Sequence, residues 1–268
     1  MRCKWLIMTV ACGLPVVAWS QSADSQPDTH LVDLRLGGQI FTDFTSEVRV
    51  NASSGGRNAA VKLENVTDLE QNISIVRFDG QIHFNARHNM AFSYYDIVRT
   101  GGRTLNQEVQ WENQTYAINT GVKSSYEQEV FKLAYVYDFL SRPSGELGLL
   151  LGLHTMVFDL GLRTDDGSQR SEVKATAPLP VLGLAGKYRI GGKWGLVGSA
   201  EWLDVTVGDY QGTFTDLVLA VEHDTFKNVG FGIGLNSFDL DVQATSDDFV
   251  GNLDLGFDSV LVYVKGSF

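Results

Sequence analysis

The sequence predicts an all-β chain, folded as a transmembrane, antiparallel up-and-down β-barrel of about ten strands, with eight to twelve allowed by the pattern. Glycine is frequent (28 residues), proline is rare (5), and aromatic residues make up 11% of the 268 residues. This composition suits strands and turns better than helices. From about His30 onward, apolar residues alternate with polar or small ones. No run of 18 or more apolar residues exists, which excludes a transmembrane helix.

The first twenty residues have the pattern of a secretory signal peptide. Arg2 and Lys4 precede a largely apolar stretch, and small residues lead to an expected cleavage between Ser20 and Gln21. The expected organisation is therefore a signal peptide over 1–20, a polar lead-in over 21–28 and a barrel over 29–268.

Charge and cysteine content narrow the class of protein further. The formal net charge of −11 argues against a nucleic-acid partner, which would need a basic face. Cys3 and Cys12 are the only cysteines and both lie in the predicted signal peptide, so no disulfide would hold the mature chain. Cys12 stands in a segment with a faint likeness to a lipoprotein cleavage box, and lipidation there is the alternative.

Alternation alone does not distinguish a barrel from a soluble periplasmic β-sandwich, which is the architectural alternative. The polar faces of the strands favour the barrel over the sandwich, because they combine fully charged residues with very small ones such as Gly230, Gly232 and Gly234. The crowded lumen of a narrow barrel needs such residues, whereas a solvated sandwich face favours long polar side chains. We therefore expect lipid to contact the apolar face of each strand from Leu31 to Phe268.

The last strand carries the most specific signal. Val260, Val262, Val264 and Phe268 occupy alternate positions, and Phe268 ends the sequence. This ending resembles the terminal strand of Gram-negative outer-membrane β-barrels, in which the final aromatic residue belongs to the assembly signal. The resemblance implies a cell outer membrane location, insertion by the barrel-assembly machinery, and contact with outer-membrane lipid and lipopolysaccharide.

Ten candidate strands follow from the alternation, and short connections alternate with longer ones, as in barrels with short periplasmic turns and long outer loops. Twelve strands would result if Gln107–Ile118 formed its own hairpin, but we expect this segment to extend its neighbours. Pro178 and Pro180 lack an N–H donor and predict a bulge or a rim position. The candidate strands are 30–50, 70–84, 90–104, 120–140, 146–163, 174–190, 194–207, 212–223, 229–243 and 252–268.

Charged residues on the predicted inward faces form the main candidate site. Buried charges are costly unless paired, so we interpret them as a structural network that fills the lumen. A narrow path for ions past these charges is the functional alternative. The predicted lumen network consists of Asp33, Arg35, Arg77, Asp79, His83, Lys132, Asp138, His154, Lys187, Arg189, Glu201 and Lys265.

Catalytic patterns are weak. The outer-membrane phospholipases and lipid A deacylases use a His-x-Ser pair, which does not occur here. Asp239 and Asp241 have the spacing of the carboxylate pair of the omptin proteases, but solvated loop acids explain them better. No zinc-type spacing is present, and we expect no metal, cofactor or enzymatic activity.

The sequence therefore predicts a monomeric outer-membrane barrel with a largely filled lumen and a structural or adhesive role. A narrow channel for ions or small solutes and a hydrolase at the outer rim are the two alternatives.

Overall fold

The computed structural model describes residues 30–50, 59–62, 68–106, 108–111, 114–208, 210–245 and 250–268. None of these residues forms a helix long and apolar enough to cross a membrane. The described residues are organised in the strands β1 (Val32–Val50), β2 (Ala59–Lys62), β3 (Ser74–His83), β4 (His88–Thr104), β5 (Val109–Trp111), β6 (Gln114–Tyr116), β7 (Gly121–Arg142), β8 (Gly145–Thr164), β9 (Arg170–Gly191), β10 (Trp194–Val207), β11 (Tyr210–His223), β12 (Val229–Thr245) and β13 (Val250–Ser267).

Ten of these strands form one closed antiparallel barrel. Their order is β1, β3, β4, β7, β8, β9, β10, β11, β12 and β13, and β13 pairs with β1 to close the ring. Arg35 lies opposite Lys265 in this closing ladder. The prediction of a ten-stranded up-and-down barrel is therefore confirmed.

Two small elements lie at the ends of the long strands. Among the described strands, β2 pairs with the end of β1 alone, and β5 pairs with β6 in a separate two-stranded sheet. The expectation that Gln107–Ile118 extends the neighbouring strands is therefore wrong, because its two described halves pair with each other.

The two ends of the barrel differ. At the end that we call the turn end, only two residues (143–144) separate β7 from β8, and two (192–193) separate β9 from β10. There the backbone N–H of Leu31 donates to the carbonyl of Phe268, with N and O 2.6 Å apart. The opposite end, which we call the loop end, carries β2, β5 and β6.

The half of the barrel nearer the turn end is apolar outside. On β7, Phe131, Leu133 and Tyr135 point outward and are 46%, 40% and 41% exposed. A band of such side chains, which we call the belt, runs round the barrel. It includes Leu36, Ile40, Val76, Tyr94, Val98, Phe139, Leu149, Leu151, Leu153, Leu182, Leu184, Trp202, Leu217, Leu219, Phe231, Ile233, Leu235, Val262 and Val264.

Toward the loop end the pattern reverses. On β7 the outward positions become Glu129, Glu127 and Lys123, while Tyr126 and Val130 are buried inside. The expectation that the apolar face points to lipid along the whole of every strand is therefore wrong above the belt. The upper barrel instead has a polar exterior and an apolar interior, as a water-exposed barrel must.

Packed side chains fill this upper interior. Aromatic rings dominate, and Phe41 meets Phe257 edge to face with centroids 4.9 Å apart. Arg99 covers the core from the loop end: its guanidinium lies 4.0 Å from the Phe44 ring centroid and donates to the Glu70 carbonyl and the Ser46 hydroxyl. The upper core includes Phe41, Phe44, Tyr95, Ile97, Tyr126, Val130, Met156, Phe158, Phe214, Phe238, Leu240, Leu255 and Phe257.

Pro178 and Pro180 lie in the middle of β9. Their ladder with β8 runs through Thr155 and Leu153 without a register shift. The ladder between β9 and β10 stops at Leu182, two residues beyond Pro180. The expected bulge or rim position is therefore wrong. Pro178 and Pro180 are tolerated in the middle of the strand because β9 has no ladder with β10 at these positions, so their missing N–H donors are not needed there.

Candidate functional site: the charged lumen and its cavity

Beneath the apolar core, the lower lumen encloses a cavity of about 520 Å³. Residues of the turn end, including His30 and Asn85, also line it, so the cavity faces that end of the barrel. Ten of the twelve predicted lumen residues line the cavity: Asp33, Arg35, Arg77, Asp79, His83, Lys132, Asp138, His154, Lys187 and Glu201.

A polar layer separates the cavity from the apolar core. The Lys132 ammonium on β7 contacts the Asp216 carboxylate on β11, and both side chains are buried. Asn236 donates to Asp216 Oδ1 at 2.6 Å and accepts from Arg77 Nη1 at 3.1 Å. Arg77 also pairs with Asp79, with Nη2 and Oδ1 2.9 Å apart. The layer thus ties non-neighbouring strands together across the lumen, which is the geometry of a structural plug.

His154 and Glu201 extend this layer. His154 Nε2 lies 2.7 Å from Glu201 Oε2, and the imidazole is fully buried. Its ring meets Phe214 edge to face, with centroids 5.2 Å apart, so the pair marks the boundary between apolar core and polar cavity.

A second cluster surrounds Glu222, nearer the turn end. Arg35 Nε donates to its carboxylate at 2.7 Å, Lys265 Nζ at 3.0 Å and the Tyr263 hydroxyl at 3.0 Å. The Tyr263 ring occupies the space where a Cβ of Gly232 would lie, 2.2 Å from the nearest ring atom. The glycine on this inward face is therefore required by the close approach of an aromatic ring.

The third cluster lies at the cavity mouth. His83 Nε2 is 3.4 Å from Asp33 Oδ2, and its Nδ1 is 2.7 Å from Asn89 Oδ1. Asn89 donates to Asp138 at 2.5 Å, while Ser267 donates to Asp33 at 2.5 Å. Charged and amide groups thus satisfy one another around the opening.

The two remaining predicted lumen residues, Lys187 and Arg189, both lie on β9. Lys187 lies opposite Glu146 in the β8–β9 ladder and lines the cavity wall. Arg189 is at the rim of the turn end, where its Nη1 donates to the Pro143 carbonyl at 3.0 Å.

Sequence reasoning missed four central residues: Asp216, Glu222, Asn236 and Gln39. The acids lie on the inward face of β11, which also carries Phe214. Apolar residues stand on both faces of β11, so alternation gives little information there about which face is the lumen.

The clusters are built mainly of charge pairs and of the hydrogen bonds that join them. The Lys132 amine is engaged in its ion pair with the Asp216 carboxylate. Among the described residues, no three metal-binding side chains form a cluster.

Asp239 and Asp241 point outward on β12, beyond Leu235, the last belt residue of that strand. Partial burial and the nearby carboxylates of Asp254 and Asp241 raise the pKa of Asp239. No described histidine contacts this pair, so no His-Asp couple accompanies it within the described part of the chain.

Comparison with known proteins gives similarity in structure but not in sequence. No protein-family model matches the chain, and no curated protein matches it. The outer membrane protease OmpT from Escherichia coli superposes with a TM-score of 0.57 at 13% identity, covering 88% of this chain and 96% of that chain. The transport unit of the autotransporter AIDA-I from Escherichia coli gives 0.45 at 10% identity, covering 92% and 93%.

Because the sequence identity to OmpT is only 13%, the comparison shows similarity of fold alone. The signal peptide, the cleavage between Ser20 and Gln21 and the lead-in lie outside the described residues and stay predictions. The assembly signal also stays a prediction. Three of its residues lie on the outer face of β13 (Val260, Val262 and Val264), and Phe268 follows the last residue of that strand. The architecture itself is established, and the chain has the fold of a small Gram-negative outer-membrane β-barrel.

Proposed function

We propose that the protein is a monomeric, non-conducting barrel of the Gram-negative outer membrane, with a structural or adhesive role. In this proposal lipid and lipopolysaccharide surround the belt, and the upper barrel projects outside the cell. The turn end faces the periplasm, as short turns do in outer-membrane barrels.

The observation that carries the proposal is the apolar core above the polar layer. A conducting lumen needs a continuous polar path, and the upper core occupies the cross-section in which that path would lie. There Phe44 on β1 meets Tyr126 on β7 across the lumen, with ring centroids 5.9 Å apart. Ten strands are also close to the number at which side chains fill a barrel, about eight, and far from the 16–18 of aqueous porins.

Planar-bilayer recording tests the proposal against the narrow-channel alternative. The purified barrel should insert without opening steps. Cold-SDS gel mobility of the same proteoliposomes, boiled and unboiled, shows whether the barrel is folded. Stable unitary conductance from folded protein would overturn the proposal in favour of a channel.

A hydrolase at the outer rim has less support. The name of OmpT describes a protease, and the fold is shared, but the candidate carboxylates here face outward and lack a histidine neighbour among the described residues. Cleavage of peptide or lipid substrates that Asp239→Ala abolishes would establish this alternative.

A further inference from the structure

The cavity of the lower lumen faces the turn end and is closed above by the polar layer. Its volume of about 520 Å³ is within the range of about 300–1,000 Å³ that ligand pockets occupy. Because the packed side chains of the upper core lie beyond the polar layer, the cavity is a pocket with one mouth.

The walls of this pocket differ in chemistry. On β1 and β3 the wall is charged and includes Arg35, Arg77 and Asp79. Across β8 to β11, below the polar layer, the inward side chains are mostly small and apolar. They include Leu150, Ala185, Val197, Val218 and Ala220. A pocket with a large apolar surface and a few polar groups suits an amphipathic ligand, whose polar head those groups orient.

The polar layer leaves one buried nitrogen unsatisfied. His154 lines the cavity, its imidazole is fully buried, and its Nε2 lies 2.7 Å from Glu201 Oε2. The carboxylate beside Nε2 favours the proton on that nitrogen, which leaves Nδ1 as a hydrogen-bond acceptor. Among the described residues, Nδ1 has no hydrogen-bond partner. Since a buried polar atom without a partner is costly, a ligand that donates a hydrogen bond to Nδ1 removes that cost.

The charge around the cavity favours a positively charged donor. Among the described residues that line it, five are carboxylates (Asp33, Asp79, Asp138, Glu146 and Glu201) and four are permanent cations (Arg35, Arg77, Lys132 and Lys187). Their ion-pair partners outside the lining add the carboxylates of Asp216 and Glu222, and Glu222 in turn pairs with the cation of Lys265. Buried charge is costly unless it is compensated, so this excess of carboxylates attracts a cation.

We propose that the cavity binds one small amphipathic amine, which enters from the turn end. Its ammonium group donates to His154 Nδ1 beside Glu201, and its apolar body packs against the small side chains of β8 to β11. This binding goes beyond the structural role of the barrel, and it leaves the upper core closed. The three-donor ammonium group complements an acceptor-rich site, and the apolar wall complements the body.

Isothermal titration calorimetry of the folded protein in detergent tests the proposal. The probe is n-butylammonium, and butyrate and n-butanol carry a similar apolar body with an anionic or a neutral head. The wild type should bind one n-butylammonium ion, and both other probes at least tenfold more weakly. Ala185→Phe, which fills the cavity, and His154→Phe, which keeps a ring but removes the acceptor, should each weaken binding at least tenfold. Leu184→Phe adds the same ring on the outward face of β9 and should bind as the wild type does.

Boiled and unboiled gel mobility shows which variants are folded. Equal affinity of the wild type and folded Ala185→Phe would overturn the cavity as the site, and equal affinity of folded His154→Phe would overturn the contact with Nδ1. Binding of butyrate or n-butanol as tight as that of n-butylammonium would overturn the choice of a cation. No saturable binding of n-butylammonium at millimolar concentration would overturn the proposal as a whole, without affecting that of a non-conducting barrel. The comparison of the three probes needs only the wild type, so it decides the proposal even where a variant does not fold.

Discussion

The rings of Phe238 and Phe257 stack face to face inside the upper barrel, with centroids 4.7 Å apart and planes 2° from parallel. They lie opposite each other in the ladder between β12 and β13. Five residues nearer the turn end, the outward Ile233 belongs to the belt. One strand therefore supplies apolar side chains to the exposed belt in its lower half and to a protein core in its upper half.

Truncating one of the stacked rings tests this division. Phe257→Ala should cost about 3–5 kcal/mol, because it opens a cavity in a packed core. Phe231→Ala removes the same ring from the belt, where lipid can fill the space, and should cost clearly less. Urea unfolding in lipid vesicles measures both. Equal losses would contradict the assignment of Phe257 to a protein core.

The Lys132–Asp216 pair gives a second prediction. Lys132→Met leaves the Asp216 carboxylate buried without its cation, and removing one partner of such a pair costs about 3–5 kcal/mol. The double variant Lys132→Met, Asp216→Leu removes both charges and should recover most of that loss. The free energies of unfolding of Lys132→Met, of Asp216→Leu and of the double variant give the coupling energy between the two side chains. Additive losses would show that the two groups do not stabilise each other.

The raised pKa of Asp239 predicts a pH dependence outside the belt. Because its pKa is raised above the ordinary value of 3.8, the folded state binds the proton more tightly than the unfolded chain, and stability falls as the pH rises through the raised pKa. Asp239→Asn should therefore stabilise the barrel at neutral pH, by less than about 1 kcal/mol for a partly solvated group.

The gain from Asp239→Asn should disappear below pH 3.8, where both states are protonated. Unfolding midpoints between pH 3 and 8 provide the measurement, with Ser237→Asn on the same outward face as control. A gain that does not change with pH would show that charge is not its cause.

The belt could be predicted from the sequence because apolar and polar residues alternate strongly in the strand segments that form it. Phe131 and Leu133 face outward and Lys132 faces inward, as period two predicts. The upper core was missed because period two does not reveal which face is outside. The phase of the alternation changes between Leu235 and Phe238, and on β7 the adjacent pair Val130 and Phe131 marks the same change.

The polar clusters depend on closure of the barrel, which local sequence does not encode. Arg35 was expected inside, but its partner Glu222 lies 187 residues away. Gln39 and Asn236 are uncharged and gave no signal, although their side chains join β1 to β12, past β13, by a hydrogen bond of 3.2 Å. Only the register of ten paired strands brings such residues together.

Cysteine labelling in intact cells tests the central claim, a membrane belt with a projecting upper barrel, most directly. The described residues contain no cysteine, so single cysteines can be placed at will. An impermeant maleimide should label Lys174→Cys above the belt, leave Leu184→Cys in the belt unlabelled, and reach Ser199→Cys in the cavity only after the outer membrane is opened. Equal labelling at all three positions, in protein recovered from the soluble periplasmic fraction, would contradict it.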